Sequence, residues 1–235
     1  MSRRTRAVVK AKRALRHMTP RHIIKTRITA RIIQKFAEKA GFVYFGHVSQ
    51  RDDEHRLVRG HTVSATHLDD HYCIGSLRGY DAIIVLRNDV ITKRNRQQQR
   101  CHWLICSVDL RTKMTIPHMY IGHRNRDEAF GASFELLHPL DLGMYATYPA
   151  VFLSDYTIYG RATDSIMIEQ TVTPDVANVI AQHFRGASIE IEENTIYLYV
   201  ESQYPDEAIL EKMLSNVLWL AEAIDVAFTP TEVET

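Results

Sequence analysis

Residues 173–200 read TPDVANVIAQHFRGASIEIEENTIYLYV, and this stretch decides the fold. Thr173 can cap free helix amides, Pro174 fits a first helical turn, and Asp175 suits the positive end of the helix dipole. Val176, Val179, Ile180 and Phe184 then form a stripe at helical spacing, and Gly186 stops it. The period next changes from helix to strand. Ile189 and Ile191 alternate with Glu190 and Glu192, Asn194 turns the chain, and Ile196, Leu198 and Val200 alternate with Tyr197 and Tyr199. The expectation is a helix followed by a hairpin with one apolar and one wet face.

Outward from this stretch, Tyr156 and Ile158, and again Ile166 and Ile168, recur at every second position, and at least the first pair reads as a strand. Downstream of Pro205-Asp206-Glu207, the residues Ile209, Leu210, Met213, Leu214, Val217, Leu220 and Ile224 recur at three and four. They predict a helix of about five turns that needs a sheet to cover. Strand, helix, hairpin, helix is an α+β arrangement with its helices on one sheet face. With Tyr156 to Ile158, Val172-Thr173-Pro174, Ile189 to Val200 and Leu210 to Ile224, this part resembles a loose group of uncharacterised bacterial α+β domains. The resemblance implies a fold and no activity.

The net charge of +1 conceals an asymmetry. Residues 1–39 carry 13 of the 29 Lys and Arg and one acid, Glu38, which leaves +12 there and −11 in the remainder. Ala7, Val8, Ala11, Ala14, Leu15 and Met18 share one helical face, with Arg3, Arg6, Lys10 and Arg13 away from it. After Thr19-Pro20 the pattern restarts with Ile24, Ile28, Ile32 and Phe36 at spacings of four, Ile33 and Ala37 beside them, and Gly41 stops it. Two basic amphipathic helices are predicted. Between them and the C-terminal unit, strands are expected at Phe42 to Val48, Leu57 to Ala65, His71 to Leu77, Tyr80 to Arg87, His102 to Leu110 and His118 to Ile121. The run Ile83-Ile84-Val85-Leu86 predicts a central strand buried on both faces. Residues 92–100 read as a polar hairpin tip, and Asp127 to Leu137 as a short helix. The organisation expected is a basic helical extension (1–40), a mainly β region (41–150), an α+β unit (151–228) packed with it as one body, and a flexible tail (229–235). The fold class expected is α+β, largely antiparallel, with C-terminal helices packed on one face.

Cys73, Cys101 and Cys106 form no C-x-x-C pair, so free thiols in a reducing compartment are expected rather than a disulfide framework. No run reaches the roughly 18–20 apolar residues that span a bilayer, and no apolar core of a secretory signal follows the N-terminus. A cytoplasmic location is expected, with peripheral membrane attachment as an option.

The positive field of residues 1–40 is the main functional lead, because it attracts polyanions and anionic bilayers alike. Lys10, Lys12, Arg13, Arg16, Arg21 and Lys25 are the residues expected to contact phosphate or carboxylate. The preferred reading is a non-enzymatic adaptor or structural protein docking to an anionic partner or surface, with no cofactor. A nucleic-acid-binding protein using the same residues is the first alternative. A metal-dependent hydrolase built on His55, His61, His67 and His71 is the second, since nitrogen and carboxylate donors crowd that region alongside Cys73. Against it, Leu68-Asp69-Asp70 reads as a turn and no H-E-x-x-H occurs. Phosphate loops and a G-x-S-x-G elbow are absent too, Gly75-Ser76-Leu77-Arg78-Gly79 having its serine misplaced. Asp69-Asp70 and Glu192-Glu193 are explained by turns. Tyr197 and Tyr199, with Tyr156 or Tyr159, form an aromatic stripe that is either a recognition surface or a second buried face under the basic helices.

Overall fold

The computed structural model describes residues 20–46, 68–92, 98–124, 137–143 and 146–229, with the backbone alone at 20–24, 91, 92 and 98. Among the described residues, nine antiparallel strands form one sheet: β1 Val43–Gly46, β2 Leu68–Leu77, β3 Tyr80–Thr92, β4 Gln98–Asp109, β5 Met119–His123, β6 His138–Pro139, β7 Tyr156–Gly160, β8 Ala187–Glu192 and β9 Thr195–Glu201. Their order is β1-β2-β3-β4-β9-β8-β5-β7-β6. The C-terminal hairpin β8–β9 is thus inserted between β4 and β5. The helices are α1 Pro20–Ala40, α2 Ala150–Asp155, α3 Ser165–Thr171, α4 Pro174–His183 and α5 Glu207–Ala227.

The fold is α+β with a large antiparallel sheet, as the sequence predicts. The hairpin forms where its period changes, with Ile191 opposite Ile196 and Ile189 opposite Leu198. Glu193 and Asn194 take φ of 50° and 60°, the left-handed geometry of a tight hairpin turn. The Asn194 side chain also accepts from the Ile116 amide (2.8 Å) and donates to the carbonyl of Met114 (2.8 Å), tying the turn to the loop after β4. Thr173 accepts from the Val176 amide, and Asp206 caps α5 by accepting from Ile209 (2.8 Å).

One sheet face carries Ile84, Leu86, Leu104, Cys106, Ile121, Ile158, Ile189, Ile191, Ile196 and Leu198. All five helices contribute to the same apolar cluster: Ile33, Phe36 and Ala37 from α1, Phe152 from α2, Ile168 from α3, Ile180 from α4, and Leu210 to Ile224 from α5. Burying these side chains is the main stabilising contribution. Strand β1 is held close because the Phe42 ring lies over Gly75, where a Cβ would stand 2.4 Å from Cδ1. Cys73, Cys101 and Cys106 are free and buried, and burial pushes the Cys73 thiol up to about 12. A thiol reagent at pH 7.5 should therefore modify none of the three before unfolding; rapid labelling of native protein would show the packing to be looser than described.

Several expectations are corrected. Ile166 and Ile168 lie on α3, not on a strand: two residues apart they point about 200° apart on a helix, and Ile166 is exposed while Ile168 is buried. The stripe of α1 follows Phe36 with Ile33 and Ala37 beside it, has Ile32 half-buried against them, and leaves Ile28 out. Spacing by four drifts about 40° per step on a 3.6-residue helix, so Thr29, Ile33, Phe36 and Ala37 face the core and Ile28 is 52% exposed. Leu68-Asp69-Asp70 belongs to β2 rather than a turn, and a bulge follows, with His71 at φ 61°. Glu193 does sit in a turn, as read. The hairpin has no wet face, since Glu190, Tyr197 and Tyr199 are all buried. Strands β3 and β4 extend further than predicted toward the 92–100 tip. The first basic helix, the strand at Leu57 to Ala65, the helix at Asp127 to Leu137 (Leu137 apart) and the tail beyond Thr229 lie outside the described residues.

Candidate functional site

Two arrangements carry chemistry: the outer face of α1 and the second face of the sheet. Helix α1 is anchored by Ile33, Phe36 and Ala37, so its register on the sheet is set by packing. The opposite side then presents Arg27, Arg31 and Lys35, all exposed, around the exposed Ile28, while Lys25, eleven residues before Phe36 and so on its side of the helix, is exposed toward Tyr204. No acid stands in its first turn, so the positive end of its dipole adds to those charges. At its other end, Lys39 pairs with Glu207 (3.0 Å) and with Glu211 of α5, which holds its pKa well above the usual lysine range. The exposed cations are thus concentrated in the first three-quarters of the helix.

Of the six residues expected to contact anions, Lys10, Lys12, Arg13 and Arg16 lie outside the described residues. Arg21 lies in the first turn, where only backbone is described. Lys25 is exposed and its Nζ stands 4.6 Å from the Tyr204 ring centre, a cation–π contact. Arg27, Arg31 and Lys35 were not singled out from the sequence, although their spacing of four was the signal that could have found them.

Beside the helix, Thr26, Asp70, His71, Asn88, Arg100 and Tyr204 line a cavity of about 280 Å³. The bulge in β2 turns His71 into it. Tyr44 stacks on His71 at 6.0 Å and its hydroxyl meets Nδ1 at 2.7 Å. Burial holds His71 below its ordinary value, with Asp70 acting the other way. Of the histidine quartet expected from sequence, His55, His61 and His67 lie outside the described residues, and His71 meets the Tyr44 hydroxyl through Nδ1.

The second sheet face is aromatic and polar. Continuous register places Tyr159, Tyr120, Glu190, Tyr197 and Ser107 in one row across five strands. Tyr197 and Tyr199 stack at 6.4 Å, and Tyr159 meets Tyr120 at 6.0 Å; Tyr156 instead points to the apolar side, against Phe152. This face is buried, as one of the two sequence readings held, but α1 packs in the other cluster and does not cover it. Two ionic groups are embedded here. Asp69 and Arg87 bond through Nε–Oδ1 and Nη2–Oδ2, both 2.7 Å. Glu190 accepts from the Tyr199 hydroxyl at 2.6 Å and lies 3.0 Å from His118 Nε2. Burial, followed by the Glu190 charge, raises the Tyr199 pKa far above its ordinary value, so this hydroxyl remains a donor.

The architecture defines a class: a broad antiparallel α+β sheet, apolar under helices on one face and aromatic on the other. No protein-family model matches the chain, and no curated protein matches it. Among solved structures, it is similar to the crystal structure of the mycobacterial trehalose monomycolate transport factor A, TtfA, with a TM-score of 0.57 over 86% of this chain and 97% of that one. At 13% identity the likeness is one of fold. No helix among the described residues is long and apolar enough to cross a membrane.

Proposed function

We propose that the chain is a non-enzymatic docking module whose basic outer α1 face binds an anionic surface. The observation that carries this reading is the exposed Ile28 set among Arg27, Arg31 and Lys35 on a helix whose other face is committed to the core. An apolar side chain ringed by cations suits an anionic lipid interface, where arginine and lysine stems reach the headgroups and an isoleucine enters the acyl boundary. A fold shared with a protein named as a transport factor fits docking rather than turnover. Location at a membrane periphery follows from the same reading, and Lys10, Lys12, Arg13, Arg16 and Arg21 would extend the contact.

Because Ile33, Phe36 and Ala37 belong to the core, deleting residues 1–40 would test folding as well as docking. The cleaner experiment uses full-length protein with Arg27, Arg31 and Lys35 changed to Gln, exposed substitutions that cost little stability. At about 1 kcal/mol for each cation near an anionic bilayer, co-sedimentation with phosphatidylserine vesicles should weaken about 100-fold. Unchanged sedimentation of the triple variant would overturn the reading. So would indifference of the wild-type protein to these vesicles combined with retained nucleic acid that high salt releases.

A further inference from the structure

We propose that His118, Glu190 and Glu192 bind one divalent transition-metal ion of the zinc class at the rim of the aromatic sheet face. The three residues each offer a donor atom, and these atoms lie within 4.8 Å of one another. Glu190 and Glu192 stand two apart on β8 and therefore point to the same side. Met119 pairs with Ile191, so one step further along the same register His118 falls opposite Glu192. The sheet itself thus assembles the triad, without any loop having to close. His118 Nε2 is 3.0 Å from Glu190 Oε1, and Nδ1 is 3.9 Å from Glu192 Oε1. Donors bound to one such ion at about 2.0–2.2 Å stand roughly 3.3–3.6 Å apart in a tetrahedral site, so small side-chain rotations that bring one His118 nitrogen to both carboxylates suffice.

The surroundings match a metal centre in three further respects. Tyr199 donates to Glu190 Oε2 at 2.6 Å, which fixes the carboxylate plane and turns Oε1 toward His118, as an outer-sphere partner does. Glu190 is fully buried, whereas the side chains of His118 and Glu192 are 23% and 35% exposed, so an ion has access from one side and a rigid floor on the other. That open side faces a cavity of about 720 Å³ lined in part by His118, Thr163, Asp164, Gln170 and Glu192, with room for water or a small ligand in the remaining coordination positions. One imidazole with two carboxylates and no thiolate favours Zn²⁺, Co²⁺ or Mn²⁺ over soft Cu(I), and the nitrogen donor disfavours Ca²⁺. Two carboxylates also neutralise a divalent charge.

The test titrates metal-stripped full-length protein with Co²⁺, followed by visible absorbance, and with Zn²⁺, followed by calorimetry. One equivalent should bind. His118→Gln and Glu192→Gln should each weaken it by more than about 100-fold, beyond the 10–100-fold expected of Tyr199→Phe, which removes only the outer partner. Glu192 is at the rim, so its substitution leaves the fold intact even if His118→Gln does not. Absence of a stoichiometric complex would overturn the proposal. So would full retention of binding in the Glu192→Gln protein, which would place the ion elsewhere.

Discussion

Asp69→Ala is expected to remove about 3–5 kcal/mol of stability, because it strands the Arg87 guanidinium in the interior. The two residues face each other directly across β2 and β3, and their side chains are 2% and 0% exposed. Burial alone would lower the Arg87 pKa, but the hydrogen bonds and charge of Asp69 outweigh it and the net shift is upward. The arginine therefore stays charged, and its partner cannot be removed without a large desolvation penalty. For a chain of this size the loss corresponds to a fall in Tm of roughly 6–20 °C, at about 2–4 °C per kcal/mol. The paired replacement Asp69→Leu with Arg87→Met should recover most of it, since a buried ion pair and an apolar pair of similar volume differ little. Thermal denaturation of the three proteins checks this. A single-variant loss below about 1 kcal/mol, in the range of an exposed pair, would mean that water reaches the guanidinium.

Asp225→Ala should be the next most damaging change. Its carboxylate, near the end of α5, accepts from the Tyr80 hydroxyl at 2.7 Å and from the amides of Arg111 and Thr112 at 3.1 and 2.8 Å. Arg111 completes the cluster by lying 4.0 Å above the Tyr80 ring. Alanine leaves the buried phenol without its acceptor, at roughly 1–3 kcal/mol, and the two part-buried amides, which water can reach, add about 1 kcal/mol between them, a total of about 2–4 kcal/mol. Asp225→Asn keeps one acceptor oxygen and should lose less than half as much in urea denaturation. Equal losses for the two variants would show that charge, rather than acceptor count, holds α5 to the loop after β4.

From Thr173 onward the C-terminal unit was legible because each element there has one period and one boundary signal. Thr173-Pro174 opens its helix as its residue types predict, and Ile189 to Val200 pair in the register their alternation implies. What alternation does not encode is the environment of the second face. Ile-Glu-Ile-Glu reads identically whether the glutamates meet water or a tyrosine hydroxyl, so the burial of Glu190 was invisible. The pairing of Asp69 with Arg87 was hidden for a related reason. Aspartates side by side are common in turns, and an acid eighteen positions from its partner gives no local sign of it. For α1 the cations were plain in the sequence, but which of them face outward depends on the rotation that Phe36 and Ile33 impose.

The strand order also bears on how the protein is made. Strand β4 ends at Asp109, yet its second neighbour, β9, ends at Glu201, roughly 90 residues later, about 5–20 s of synthesis at 5–20 residues per second. For that interval the β4 edge, with Leu104 to Val108, has no ladder partner on one side, and β5 has β7 alone to pair with until β8 emerges. A nascent chain with such an unpaired edge can pair with another chain. Completion of the sheet is therefore a late event, and a ribosome stalled before residue 201 would display half a sheet with its central edge open.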